Sequence, residues 1–246
     1  MTTTSDLGRL ATTLRDLHHG EMLLLPNAWD AASARVVEEA GFPAVATASA
    51  AISAVLGYPD GEGAPVDEMF AANARLARAV SVPVTMDAEA GYGLAPTELV
   101  ERLLAIGVVG CNLEDSDHAA GGLKDAEKQA GWLADVRAAG DSLVINARVD
   151  VFLPTSLVAE GDRVAEAARR GRLYREAGAD CVYPIGVGSR DVLAQLVDGI
   201  GGPVNGNSGP ELTLPVLREL GVARVSYGPR FYRAGLAAFA EAITAL

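Results

Sequence analysis

Short apolar runs alternate with helical patterns along the whole chain. "MLLLP" (22–26) predicts a first strand, and "DAASARVVEEAG" carries apolar positions at helical spacing up to Gly41. "PAVATA" (43–48) predicts a second strand, followed by the glycine-rich loop "LGYPDGEG" and a helix near 66–79. "VPVTMDA" is the third strand, with a helix from Pro96 to Ile106; a proline suits the first turn of a helix. "VVGCNLED" and "SLVINARVD" (142–150) are the fourth and fifth, and a long helix covers 160–177. "DCVYPIG", "GPVNGN" and "ARVSYG" complete a set of eight, each followed by a helical segment. In "EAGAD" and "ELGVAR" a helix ends on glycine, which tolerates the left-handed cap, before the next strand begins. Residues 5–19 predict an additional N-terminal helix.

Eight strand–helix units without a break in composition predict one α/β domain over residues 1–246, a (β/α)8 TIM-type barrel. The structural alternative is an open, doubly wound sheet. The GxGxxG fingerprint of a dinucleotide fold is absent after the first strand, as is any GK[ST] phosphate loop.

Composition narrows the picture. The chain has 246 residues, half of them hydrophobic but only 5% aromatic, so the expected core is built from Ala, Val and Leu. A net charge of −12, from 20 basic and 32 acidic residues, argues against a nucleic-acid partner, which calls for a basic surface. Cys111 and Cys181 lie in apolar runs and read as buried thiols rather than a disulfide. "MTTTSDLGRL" lacks the basic start and apolar centre of a leader, and no run approaches the ~18 apolar residues of a membrane span. The expected setting is cytoplasmic, with no membrane partner.

The candidate chemistry falls at one end of the predicted strands. Strand two ends near Ser49, strand three at Asp87 and Glu89, strand four at Glu114 and Asp115, strand five at Arg148 and Asp150, strand seven at Asn205 and Asn207. In a barrel, these C-terminal strand ends form the active mouth. Asp87 and Glu89 are two apart, so on an extended chain they project to the same side, and Glu114 comes from the neighbouring strand. Three converging carboxylates point to a hard divalent cation, Mg2+ with Mn2+ as a substitute. The structural alternative is helix capping, or ion pairs with Arg102 and Lys124. Arg148 is placed to grip a substrate carboxylate in bidentate fashion, or to pair with Asp150 or Glu114. Asp60 lies in a P-D-G turn beside the mouth. His18 and His19 read as exposed on the N-terminal helix, His118 as part of a surface loop, and Tyr92 and Tyr183 as wall residues or packing.

The segments "TASAAISAVLGYPDGE", "MDAEAGYG", "CNLEDS" and "ARVDVF", in this order and spacing, resemble the isocitrate lyase/phosphoenolpyruvate mutase superfamily, and the likeness runs from "LLLPNAWDAASARVVEEAGF" to "VSYG". The resemblance implies a (β/α)8 barrel whose eighth helix swaps between subunits, in a homo-oligomer that is usually a tetramer, a dimer of dimers. It implies Mg2+ and a small 2-oxo or 2-hydroxy carboxylate reacting through a pyruvate-type enolate. Asp87 would then be the direct metal ligand, with Glu89 and Glu114 acting mostly through water. Arg148 would hold the carboxylate, Ser49 and the backbone beside it at Ala50 another part of the substrate, and Asp60 would be a mobile-loop acid. Catalysis would fall to Asp60, Glu114 and Arg148, and specificity to Tyr92, the 116–130 lid and the segment near Asn205. One departure matters: lyases of this superfamily carry a lid motif of the type K-[KR]-C-[GS]-H, whereas "SDHAAGGLKDAEKQAG" has no cysteine. The expected activity is therefore C–C lysis or decarboxylation that needs no lid thiol. A P–C rearrangement of the phosphonomutase type is the runner-up, and non-catalytic carboxylate binding is a further alternative.

Overall fold

The computed structural model describes residues 4–246; Met1–Thr3, part of the stretch read above for a leader, lie outside the described residues. The chain winds eight parallel staves. The first is split by Pro26 into β1 (Leu23–Leu25) and β2 (Asn27–Ala28), because proline has no N–H to give a ladder. β2 pairs with β3 (Val45–Thr47), and the order continues through β4 (Val84–Asp87), β5 (Gly110–Glu114), β6 (Val144–Val149) and β7 (Cys181–Pro184). β8 (Asn205–Asn207) pairs with β9 (Arg224–Ser226), and β9 returns to β1. A parallel bridge between Val182 and Val204 joins β7 to β8, so the barrel closes.

Helices cover the outside. α1 (Thr4–Asp16) precedes the barrel; α2 (Ala31–Glu39), α3 (Ser49–Leu56), α4 (Val66–Ala77), α5 (Pro96–Ala105) and α6 (Ala126–Ala139) follow the first four staves, with both α3 and α4 after the second. α7 (Arg163–Glu176), α8 (Arg190–Ile200), α9 (Leu214–Glu219) and α10 (Arg230–Thr244) follow the rest. Local chemistry sets several starts. Asp30 and Ser33 form a reciprocal capping box on α2, and Asp125 accepts from Lys128 N at 2.9 Å to cap α6. α3 has no counterpart among the predicted elements: "SAAISAVL" is apolar on nearly every side, and its Ser49, Ala51, Ile52 and Ser53 are buried.

The strand periodicity divides the interior. Cys111 and Leu113 of β5 face outward into the apolar layer beneath the helices, together with Val84, Met86, Ile145 and Val149. The alternate residues face the axis, where the core is amide-rich rather than aliphatic. Asn112 Oδ1 accepts from Asn146 Nδ2 at 2.8 Å and from the buried Arg224 at 3.1 Å. Both cysteines are free and buried, and burial pushes their thiols up to about 12. α1 seals the lower end with Ala11 and Leu14 against Leu23, Ala44, Val109 and Val144. Gly110 is required there, since a Cβ would meet Leu14 Cδ2 at 2.6 Å.

His18 corrects the expectation of exposure. It is buried beneath α1, its Nδ1 donates to Leu14 O at 2.8 Å, and burial lowers its pKa to about 4. The outermost helix is the opposite case. α10 buries none of its residues, and Leu236, Phe239 and Ile243 stand half exposed or more. Among the described residues no helix is long and apolar enough to cross a membrane.

Candidate active site

The C-terminal ends of the staves surround a cavity of about 290 Å3 lined by Ser49, Asp60, Glu89, Glu114, His118 and Arg148, with Leu153 and Thr155 on the far side. Each side chain arrives by a different local device. β3 ends at Thr47, and Ser49 opens α3 with its backbone N–H pointing out of the helix end. That N–H and the Ser49 hydroxyl both donate to Asp87 Oδ2, at 3.2 and 2.8 Å. Asp87, the last residue of β4, also accepts from Asn112 Nδ2 at 3.3 Å on its other oxygen. It is seated against Ser49 rather than forming the cavity wall itself. Ser49 Oγ lies 3.3 Å from Asp60 Oδ1, which brings the P-D-G loop to the mouth.

Glu89 reaches the cavity, but not as the strand argument expected. The chain leaves the extended form after Asp87, and Glu89 sits in the left-handed region at φ 48. An alternation rule does not apply there. Its carboxylate is held by the loop instead: Oε2 accepts from Glu62 N at 2.5 Å and Oε1 from the Tyr92 hydroxyl at 3.0 Å. Burial, followed by the charge of Asp87, lifts its pKa to about 7. Tyr92 thus supports an acid rather than walling the cavity, and Tyr183 donates to Asn207 Oδ1 at 2.6 Å.

Glu114 ends β5 and is 2% exposed. His118 Nε2 lies 2.6 Å from its Oε1, and Arg148 forms an ion pair with its Oε2. The arginine contact is close but poorly directed, so this buried oxygen has no hydrogen bond. Burial raises the Glu114 pKa to about 7 against the opposing pull of Arg148. The hydrogen bond to Glu114 raises the pKa of His118. His118 is therefore a cavity residue and not a plain surface-loop residue. The signal in the sequence was its place four residues after Glu114. Gly61 makes room for it, as a Cβ there would lie 3.3 Å from the imidazole at φ +80.

Arg148 pairs with both of the acids named as its alternative partners, Asp150 and Glu114. Of the two edges on which a guanidinium takes a carboxylate, the Nε–Nη2 edge is filled by Asp150, at 2.7 Å for both contacts. The end-on edge faces Glu114, with Nη1 3.9 Å from Asp87 Oδ1. Nη2 of that edge is already paired with Glu114, so a substrate carboxylate meets Nη1 and gains a second contact only by displacing Glu114.

Other expectations are placed differently. Asn205 is fully buried in the barrel interior, where it bonds Gly206 O and Ser226 and accepts from Asn146; it does not line the cavity. Ala50 is half-buried in the first turn of α3, behind Ser49. Arg102 pairs with Asp67 and Glu98, and Lys124 donates to Ala90 O, so neither neutralises the three acids. Ser116 and Asp117 belong to the 116–130 lid named from the sequence; Leu153 and Thr155, at the 3-10 turn Pro154–Ser156, were missed, and no pattern marks them.

Among the described residues no group of three or more His, Cys, Asp or Glu side chains converges as a finished metal cage. The donor set nonetheless fits a hard cation. Glu114 Oε2 is buried without a hydrogen bond, and burial raises two carboxylates, Glu89 and Glu114, to about 7. Asp87, Glu89 and Glu114 are the residues that could hold one.

Known proteins share this arrangement of elements. The sequence profile described as phosphoenolpyruvate phosphomutase matches residues 14–246. An uncharacterised protein of Mycobacterium tuberculosis (strain H37Rv) is 37% identical over 235 residues, 95% of this chain and 88% of that one. An oxaloacetate decarboxylase of Bradyrhizobium sp. (strain BTAi1) is 33% identical over 210 residues, covering 80% and 70% of the two chains. The crystal structure of a provisionally assigned phosphonomutase from Burkholderia cenocepacia J2315 superposes with a TM-score of 0.87 at 37% identity, over 96% of this chain and 99% of that one. With its barrel, its acid-rich mouth and this match over nearly its whole length, the chain belongs to the phosphoenolpyruvate phosphomutase family, within the superfamily of lyases and phosphonomutases that the sequence motifs resemble.

Proposed function

We propose that the protein is a Mg2+-dependent lyase or decarboxylase that breaks a C–C bond beside the carboxylate of a small 2-oxo or 2-hydroxy acid. The observation that carries this reading is Arg148 in the wall of a cavity of about 290 Å3, with Nη2 paired to Glu114 and Nη1 3.9 Å from Asp87. That volume is at the lower limit of the about 300–1,000 Å3 usual for ligand pockets, which suits a small acid. Arg148 binds the substrate carboxylate, and Asp150 keeps the guanidinium from rotating away. Ser49 and Asn112 orient Asp87, while Tyr92 and the Glu62 amide orient Glu89. Asp87, Glu89 and Glu114 are the residues that would hold Mg2+ or Mn2+, which when bound would supply Lewis acidity for the charge of an enolate. Fixed charges of this kind often lower a reaction barrier more than any other single feature of an enzyme.

The family profile and the Burkholderia structure favour a second reading, a P–C rearrangement on an enolpyruvate phosphonate or phosphate. One panel separates the two: 2-oxo acids, 2-hydroxy acids and C–P substrates with Mg2+, for wild type and Asp87→Ala, following release of pyruvate and of other products. The lyase reading expects turnover of at least one 2-oxo or 2-hydroxy acid that Asp87→Ala abolishes. Silence of the wild type on all of them sinks it.

We further propose that the partner of α10 is a second copy of this chain. Its apolar face lies free, and beside α2 is an open groove of about 570 Å3 lined by Trp29, Ala32, Val36, Val37 and Phe42. Exchange of α10 between subunits covers both, giving the dimer of dimers expected from the sequence. Sedimentation equilibrium of Phe239→Asp beside wild type tests this; a wild-type monomer would refute it.

A further inference from the structure

The lid that closes one side of the cavity is a short hairpin, residues 116–124. Ser116 bridges Leu123 in antiparallel fashion, Asp117 N donates to Gly122 O at 3.0 Å, and Asp117 Oδ1 takes the amides of Ala119 and Ala120. At its root Lys124 N donates to Asp115 O at 2.8 Å. Ser116, Asp117 and His118 form part of the cavity wall and also border a separate hollow of about 560 Å3, so the hairpin stands between two spaces.

One guanidinium from outside the barrel holds both ends of this root. Arg170 of α7 is 7% exposed. Its Nη1 lies 3.0 Å from Asp115 Oδ2, 2.9 Å from Lys124 O and 3.1 Å from the Tyr174 hydroxyl, so two N–H groups are shared among three acceptors. Its Nε donates to Glu166 at 2.7 Å, which stops the group from turning. Tyr174 donates in its turn to Asp115 Oδ2 at 2.8 Å. The other oxygen of Asp115 takes the backbone N–H of Asp150 at 2.8 Å. Asp150 is the residue that fills one edge of Arg148, and Ser116 at the start of the lid donates to it at 2.5 Å. A continuous chain of hydrogen bonds thus runs from α7 through Asp115 and Asp150 to Arg148.

We infer that Arg170 is a positioning residue, which pins the root of the lid and sets the orientation of Arg148 through Asp115 and Asp150. It touches neither the cavity nor a substrate. The inference rests on the function proposed above only in taking Arg148 as the group that faces the substrate. A buried ion pair that merely stabilised the fold would need only its carboxylate partner. Here the same Nη1 also reaches a backbone carbonyl on the far limb of the hairpin, which a purely charge-balancing role does not require.

The test compares Arg170→Lys with wild type by hydrogen–deuterium exchange, with and without oxalate as a probe carboxylate, alongside thermal unfolding and oxalate affinity by calorimetry in Mg2+. Lysine keeps the charge but cannot span three acceptors. Peptides covering 116–124 should exchange about tenfold faster or more, while those of β4 and of α1 remain unchanged, and oxalate affinity should fall by about tenfold. Unchanged lid exchange overturns the inference, as does acceleration spread evenly over the whole chain. Faster exchange confined to the lid, in a protein whose wild type turns over no 2-oxo acid, sinks the lyase reading and leaves this inference standing. Should Arg170→Lys fail to fold, Tyr174→Phe keeps the guanidinium, removes the hydroxyl's bonds to Asp115 and from Arg170, and should move the same peptides in the same direction by a smaller factor.

Discussion

The two ends of the barrel hold their carboxylates in opposite ways. At the lower end Asp180 takes Arg15 Nε at 2.8 Å on one oxygen, and Arg137 at 2.5 Å with the Ile145 amide at 2.8 Å on the other. Two guanidiniums serve one acid, and both oxygens are filled. At the mouth Asp60, Asp87, Glu89 and Glu114 gather around Arg148, which Asp150 already engages. One buried oxygen of Glu114 is left without a hydrogen bond, and two of the acids are lifted to about 7. The same residue types make a closed structural clamp in one place and an open, charge-deficient site in the other. Stability alone would not retain the second arrangement, since uncompensated buried charge is costly to the fold.

Paired substitutions give the sharpest contrast. Arg148→Met should lower kcat/KM by about 100- to 1,000-fold on whichever acid the wild type uses, as the loss of a fixed charge at the reacting centre does elsewhere. Asp180→Asn should leave turnover unchanged and lower the unfolding free energy by about 2–3 kcal/mol, because two arginines lose their carboxylate. Steady-state kinetics and urea titrations of both variants check this. If Asp180→Asn lost activity at full stability, the division between the ends would collapse.

A smaller effect concerns pH. Glu89 and Glu114 are raised from 4.5 to about 7 in the folded protein, so over that interval the native state binds more protons than the unfolded one. Their contribution is complete below about 4.5 and is lost as pH rises through about 7. His118, raised by its hydrogen bond to Glu114, acts in the same direction. The melting temperature of metal-free protein should therefore fall as pH rises across this window, and Mg2+ should flatten the slope. Glu89→Gln should have the least effect, removing part of the slope and raising the metal-free melting temperature slightly at the alkaline end. A melting temperature that climbed with pH in wild type would overturn this account of the mouth.

Much of this was legible in the residues. Asp87, Glu114 and Arg148 fall at strand ends because apolar runs mark the staves and the first polar residues mark where they stop. Glu89 was found for the wrong reason: a left-handed turn, not strand alternation, brings it to the cavity. His18 was misread because helical spacing does not say which side of α1 faces the barrel, and the packing of Leu14 and Ala11 decides it. Asn205 was misplaced because inward-facing positions at different heights of a barrel look alike in sequence.

By itself, then, the sequence determined the eight-unit barrel, and the end at which the acids and the arginine gather. Those follow from periods of two and of about 3.6 residues, which are local properties of the chain. The tertiary structure alone decided how Glu114 shares the Arg148 guanidinium with Asp150, and that Arg170 holds the root of the lid. Hydrogen-bond partners tens of residues apart are chosen by how helices settle on the sheet, and no local pattern encodes that choice.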